Sequence, residues 1–157
     1  MIEVKAPNTP VMSGVYRHSI FLAGSIEMGV AEQWQQRVAE GLKDVPHLIV
    51  YNPRRDDWDS SWEQTIENEQ FNEQVMWELH HLKKADVIPM YFSPETKSPI
   101  TLLELGLFAD SGKLIVCCPE GFWRKGNVDI VCRQWGIDQV DSIEELIETT
   151  KTRLAHN

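Results

Sequence analysis

The sequence predicts an α/β domain, Rossmann-like or flavodoxin-like, with a mostly parallel five-stranded sheet and helices on both faces. Three observations carry that prediction: short apolar runs of strand length, a helical pattern between each run and the next, and turn residues closing the first two runs. A length of 157 residues fits one such domain, with enough core to stand without disulfide or metal staples. Residues 19–23 form the first apolar run, ending at Gly24, and a helix is expected over about 30–43. Residues 48–51 form the second, closed by Asn52-Pro53. After a polar, tryptophan-containing loop, residues 66–84 carry Phe71, Val75, Leu79 and Leu82 at helical spacing, and 87–92 and 114–118 read as buried strands. Between those strands lies a short helix with both ends marked: Ser98 as N-cap, Pro99 at the first helical position, and Gly112 just beyond its end. Residues 127–135 and 142–154 are the last helices. Ser142 caps the second of these, which has Glu144 and Glu145 in its first turn and Lys151 and Arg153 in its last. A short fifth strand is expected near Gln139 and Val140. Residues 1–17 read as a loose N-terminal arm and 18–157 as the domain.

Composition narrows the function. Fifteen Lys and Arg against 24 Asp and Glu leave a net charge of −9, so no basic surplus exists to displace counterions from a nucleic acid. A single small phosphate, which needs only local donors, is compatible with that charge. No apolar run approaches a membrane span and the N-terminal stretch lacks the regions of a signal peptide, so the reading is cytoplasmic, with no membrane partner. Cys117, Cys118 and Cys132 are odd in number and lack C-x-x-C spacing, which fits reduced thiols.

The residue that stands out is Glu104, the only charged side chain in the run from Pro99 to Ala109. The leucines around it leave the helix no polar face, so the helix is expected to be buried on most sides. A carboxylate there must be paired, hydrogen-bonded, protonated or kept for chemistry. Open parallel sheets bind ligands beyond the carboxyl ends of their strands, and the unusual loops lie there. Gly24 and Ser25 precede a helix and offer backbone N–H groups to an anion or a sugar, or are simply a turn. Asn52-Pro-Arg-Arg-Asp-Asp-Trp-Asp59 holds Arg54 and Arg55 to grip a phosphate, Asp56 and Asp57 to accept from a base, and Trp58 to stack; internal pairing is the alternative. Glu78 lies one turn after Gln74 on the long helix, bordering its apolar stripe. His80 and His81 point about 100° apart and make no metal pair, and so read as surface or boundary residues. Trp58 and Trp62 are the tryptophans best placed for a ligand.

Together these residues resemble the nucleoside 2-deoxyribosyltransferase family and its relatives that hydrolyse nucleoside 5'-monophosphates. The resemblance rests on Phe21-Leu-Ala-Gly-Ser25, on Glu78 eight residues before Asp86-Val-Ile, on Asn-Pro-Arg-Arg-Asp-Asp-Trp-Asp, and on Ser98 six residues before the Glu of Leu103-Glu-Leu-Gly106. It spans residues 19–136. It implies a flavodoxin-like fold, no metal or cofactor, and Glu104 as a nucleophile that attacks the anomeric carbon to form a glycosyl-enzyme ester. Water or a second, free nucleobase would then decide the product. Glu78 takes the place of a family aspartate that touches the sugar or orients Glu104. Ser25 and Ser98 match sugar or 5'-phosphate contacts, Asp56, Asp57 and Trp58 should lie on the base side, and Asp57 is the expected general acid.

Two departures bear on substrate. Ser98, where transferases carry aspartate, is more like the monophosphate hydrolases. Glu27 replaces a basic residue of some hydrolases and would repel a phosphate, leaving Arg54, Arg55, Arg124 or Lys125 to supply charge from other loops. Asn127 resembles a contact that completes the pocket, in the family often from a neighbouring subunit, which implies a homodimer or higher oligomer. The expected activity is transfer of a (deoxy)ribosyl group between bases; a monophosphate N-glycoside hydrolase is the first alternative, and a non-catalytic nucleotide-binding sensor or assembly subunit the second.

Overall fold

The computed structural model describes residues 1–10, 15–27, 31–55 and 57–156. Its strands are β1 (Ile2–Lys5), β2 (His18–Phe21), β3 (Ala23–Gly24), β4 (Leu48–Asn52), β5 (Ile88–Tyr91), β6 (Leu114–Cys117) and β7 (Asp138–Val140). The helices are α1 (Trp34–Gly41), α2 (Glu69–Lys84), α3 (Pro99–Phe108), α4 (Lys125–Trp135) and α5 (Ile143–His156), with a 3-10 turn at Ala109–Ser111 after α3. The expected start of the first helix, at Val30, lies outside the described residues.

Every strand pairing is parallel, in two sheets of order β1-β4-β2 and β3-β5-β6-β7, in place of the single five-stranded sheet expected. The division falls inside one continuous run. The Leu22 N–H donates to the Tyr51 carbonyl on one side, and the Phe21 N–H donates to the Val87 carbonyl on the other. The run thus passes its pairing from β4 to β5. Counted once, it gives the order β4, β2/β3, β5, β6, β7, the 2-1-3-4-5 arrangement of flavodoxin-like folds, with β1 added at the edge.

That edge strand corrects the expectation of a loose arm. Ile2 to Lys5 pair in register with Ile49 to Asn52, Val4 and Ala6 are buried, and the Trp77 indole N–H donates to the Asn8 carbonyl at 2.8 Å. Four residues alternating apolar and charged are too short a pattern to announce a strand without its neighbour.

Alternation along the strands builds a core on each face. Phe21, Tyr51, Met90 and Val116 pack towards Trp77 of α2, Leu105 of α3 and Val128 of α4. Ile20, Val50, Tyr91 and Ile115 pack towards Trp34 of α1 and Leu146 of α5. With both faces covered, the central strands β4, β5 and β6 read as nearly unbroken apolar runs.

Two helices bury faces other than those expected. On α2 the buried residues are Gln74, Trp77, His81 and Leu82, while Leu79 is exposed. His81 is no boundary residue: its ring lies 4.2 Å from both Trp77 and Tyr51, and its Nδ1 lies 2.7 Å from the Trp77 carbonyl oxygen. Because the inward row contains an amide and an imidazole, apolar spacing alone picks the wrong stripe. On α3, Thr101, Glu104 and Leu105 face inward, but Ile100, Leu103 and Leu107 are each 58–59% exposed. Ser142 does cap α5, accepting from the Glu145 N–H at 3.1 Å.

Val4→Ala tests the edge strand. Loss of two buried methyl groups is expected to cost about 2 kcal/mol in urea unfolding; a loose arm would show no change.

Candidate active site

The handover from β2/β3 to β5 is the topological switch point of the sheet, and the residues just beyond it close around one another. Gly24 ends β3 at φ 150°, and a Cβ there would stand 2.4 Å from the Tyr91 carbonyl oxygen and 2.7 Å from the Trp34 ring. Only glycine lets this backbone lie so close to β5. The Trp34 indole N–H then donates to the Ser25 carbonyl at 2.9 Å. Ser25 Oγ accepts from the Ser93 N–H at 2.9 Å and lies 2.9 Å from Thr96 Oγ1 and 2.5 Å from Ser98 Oγ. All three hydroxyl residues are buried.

Ser98 therefore does not cap α3 as expected. It occupies the N-cap position in a left-handed conformation, φ 46°, and its hydroxyl is committed to Ser25 and Thr96. Glu27 from the β3 loop takes over the helix entrance: its Oε1 accepts from the Lys97 N–H at 2.7 Å and from the Ser98 N–H. A carboxylate of the protein itself thus stands on the backbone donors ahead of α3, where a helix N-terminus favours negative charge.

The two carboxyls singled out in the sequence are near enough for the charge of Glu78 to act on Glu104. Glu104 points inward from α3 at 7% exposure, and burial, with the charge of Glu78 added, pushes its pKa up to about 8. Glu78 is half-buried at the edge of the buried row of α2, four residues after Gln74 and one after Trp77, and desolvation pushes it up to about 7. The Gln74 Nε2 donates to Glu78 Oε1 at 2.7 Å and to the Pro53 carbonyl at 3.0 Å. Two interacting carboxyls out of water hold a proton at neutral pH, one serving as base or nucleophile and the other as acid.

The loop after β4 is largely engaged with itself. Asn52 is buried, its amide donating to Glu3 at 2.7 Å and its oxygen accepting the Arg54 N–H at 3.0 Å. Arg54 reaches Gln35 at 3.4 Å. Arg55 grips both oxygens of Asp57 at 2.9 and 3.1 Å, lies 3.6 Å from Glu73, and stacks over Trp62, itself edge-on to Trp58. The Asp57 carboxyl, expected as general acid, is exposed and hydrogen-bonded by Arg55, which holds it below the usual carboxylate range. Asp56 lies outside the described residues. Asn127 is exposed on the first turn of α4, where the loop ahead is tied to that of α3 by the Trp123 N–H to the Lys97 carbonyl at 2.9 Å.

Sequence reasoning missed Thr96 and undervalued Gln74. The first stands two residues before Ser98, and the second one helical turn before Glu78, spacings that mean little until both neighbours are known to face inward. Two surface depressions of about 540 Å³, one along Lys125, Asp129 and Arg133 and one along Arg17, Pro46 and Leu154, contain neither carboxyl. Among the described residues no group of three His, Cys, Asp or Glu is placed to hold a metal ion, and no helix is long and apolar enough to cross a membrane. Cys117, Cys118 and Cys132 are free, buried thiols.

Comparison with known families matches residues 17–122, well over half the chain, to the family described as nucleoside 2-deoxyribosyltransferase like. The chain belongs to that family. A search of curated proteins finds no match. The matched segment takes in the switch point, the loop after β4, Glu78 and Glu104, and stops short of Asn127. A nucleoside 2-deoxyribosyltransferase-like chain is thus one whose matched portion holds the whole carboxyl pair.

The raised carboxyls link stability to pH. In the unfolded chain both titrate near 4.5, and in the folded chain near 7 and 8. Their stabilising effect is therefore full below about pH 4.5 and lost as pH rises through the folded values. Glu104→Gln, always neutral, is expected to lose less stability than the wild type between about pH 5 and about pH 9, read from thermal melts. Equal losses would mean that Glu104 is not desolvated.

Proposed function

We propose that this protein cleaves the N-glycosidic bond of a nucleoside through a covalent intermediate on Glu104 and passes the sugar to a second base. The observation that carries the reading is the desolvated Glu104–Glu78 pair inside the family-matched segment. An ionised Glu104 oxygen attacks the anomeric carbon as the bond to the base nitrogen breaks, and Glu78 gives its proton to the departing base. The products are a glycosyl ester and a free base. An incoming base then attacks the same carbon, returns a proton to Glu78 and releases Glu104. Ser25, Ser98 and Gly24 would shape the sugar end of the site, Asn52, Arg54, Arg55, Asp57 and Trp58 its base side, and Asn127 would border the opening.

Glu27 favours an unphosphorylated substrate. With its carboxylate on the Lys97 and Ser98 N–H groups, a 5'-phosphate would meet a negative charge where it needs donors. Arg55 of the base-side loop is already held by Asp57 and Glu73, and Arg54 reaches Gln35. Hydrolysis of a 5'-monophosphate is the second reading, favoured by Ser98 alone. A sensor without turnover would have no use for two interacting, desolvated carboxyls.

We further propose that a second copy covers the outer row of α3. Ile100, Leu103 and Leu107 are apolar and exposed on the helix whose inner side carries Glu104, so a partner seated there would adjoin the site and shield it from water. Leu103→Asp is expected to turn an oligomer into a monomer in light scattering; an unchanged mass would remove α3 from the interface.

The decisive experiment incubates the protein with nucleosides and their 5'-monophosphates, with and without a second free base, and separates the products by chromatography. Base exchange with nucleosides is expected, with monophosphates poor substrates, and Glu104→Gln should lower turnover by about three orders of magnitude or more. Base release that a second base does not divert would make the protein a hydrolase, and ligand binding with no turnover would make it a sensor.

A further inference from the structure

Gln74 is buried on the inward row of α2, and both hydrogens of its amide nitrogen have partners. A carbonyl only accepts, so the Pro53 oxygen 3.0 Å away fixes which end of the amide is nitrogen. Turning the amide over would set its oxygen against the Pro53 oxygen. The second N–H therefore faces Glu78 Oε1 at 2.7 Å, and that oxygen must accept. Any proton on Glu78 is left to Oε2. The cost is visible at the other end of the amide, where Oε1 of Gln74 is buried with no partner. A buried acceptor without a donor is uncommon in a native fold, and leucine would fill the same space without it.

We propose that Gln74 is a positioning residue for the carboxyl pair: it splints Glu78 to the loop after β4 and assigns the proton of Glu78 to the oxygen left for chemistry. This rests on the reaction assigned above to Glu104 and Glu78. Few charges face Glu78 to do the same work. Glu104 approaches it from α3, while Arg54 and Arg55 of the β4 loop are turned to Gln35 and to Asp57 and Glu73. The splint also gives the base-side loop a direct hold on the acid, since Pro53 lies between Asn52 and Arg54.

Gln74→Met, equal in length but without a donor, carries the test, with Gln74→Leu as a second variant should the first fail to fold. Carbon-13 NMR of labelled glutamates in the resting protein reads the Glu78 titration, which needs no turnover. Loss of the N–H that favours ionised Glu78 should raise its midpoint by about one pH unit and carry the alkaline limb of kcat/KM with it. The value of kcat should fall about tenfold with KM within about twofold, and the same change in a Glu78→Gln background should cost less than about twofold. An unmoved Glu78 midpoint in a folded variant, or equal losses in both backgrounds, would overturn the proposal. Should no nucleoside be turned over, the reaction assigned to the pair fails, while the titration still decides whether Gln74 governs Glu78.

Discussion

A buried carboxyl, Glu104, raised further by the charge of the half-buried Glu78, is the constraint on which the rest of this structure depends. Glu104 comes from α3 and Glu78 from α2, helices on the same face of the sheet, and among the described residues neither carboxyl has a cation paired with it. A pair of this kind survives only if the surrounding fold is stable enough to hold it and rigid enough to deny it relaxation. α2 meets that demand with an aromatic bank: Trp77 and His81 stack against each other and against Tyr51 of β4, and the indole of Trp77 is bonded to the N-terminal segment. α3 meets it through the loop before it, which Glu27 and the buried hydroxyls bind to the end of β3.

The switch point and the carboxyl pair are thus one mechanical unit. Gly24 allows β3 to lie against β5, that approach places Ser25 among Ser93, Thr96 and Ser98, and Ser98 sets where α3 begins and so where Glu104 ends up. Residues that resemble substrate contacts carry structural load here. The left-handed backbone of Ser98 fits that double duty, since an L-residue held at positive φ needs surroundings that over-determine it.

The sequence made the alternation of strands and helices legible because both faces of the sheet are covered and every central strand is a nearly unbroken apolar run. It made Glu104 legible because a lone charge among leucines has few explanations. What it concealed depends on partners far along the chain. β1 is a strand only because β4 lies beside it. The inward row of α2 shows only when Gln74 and His81 are seen to have buried partners, since by hydropathy they belong outside. Asp57 stood beside two arginines in the sequence, where internal pairing and ligand contact were both open, and the structure gives Arg55 both its oxygens. The outer row of α3 deceived in the opposite sense: apolar residues implied burial, yet the chain by itself does not cover them.

That uncovered row bears on the chemistry through water. The glycosyl ester proposed on Glu104 would be open to water as well as to a base, and transfer would win only where water is scarce. The inner side of α3 buries Glu104, but its outer side presents Ile100, Leu103 and Leu107 to solvent within a turn of Glu104 on either side. Burying Glu104 raises its proton affinity, which by itself weakens it as a nucleophile at neutral pH. Glu78 resolves the conflict only if it, and not Glu104, keeps the shared proton once substrate is bound. The amide that holds Glu78 Oε1 as an acceptor leaves Oε2 free for that proton, so in the proposed reaction the hydrogen bond from Gln74 and the exclusion of water at α3 would act on the same partition between transfer and hydrolysis.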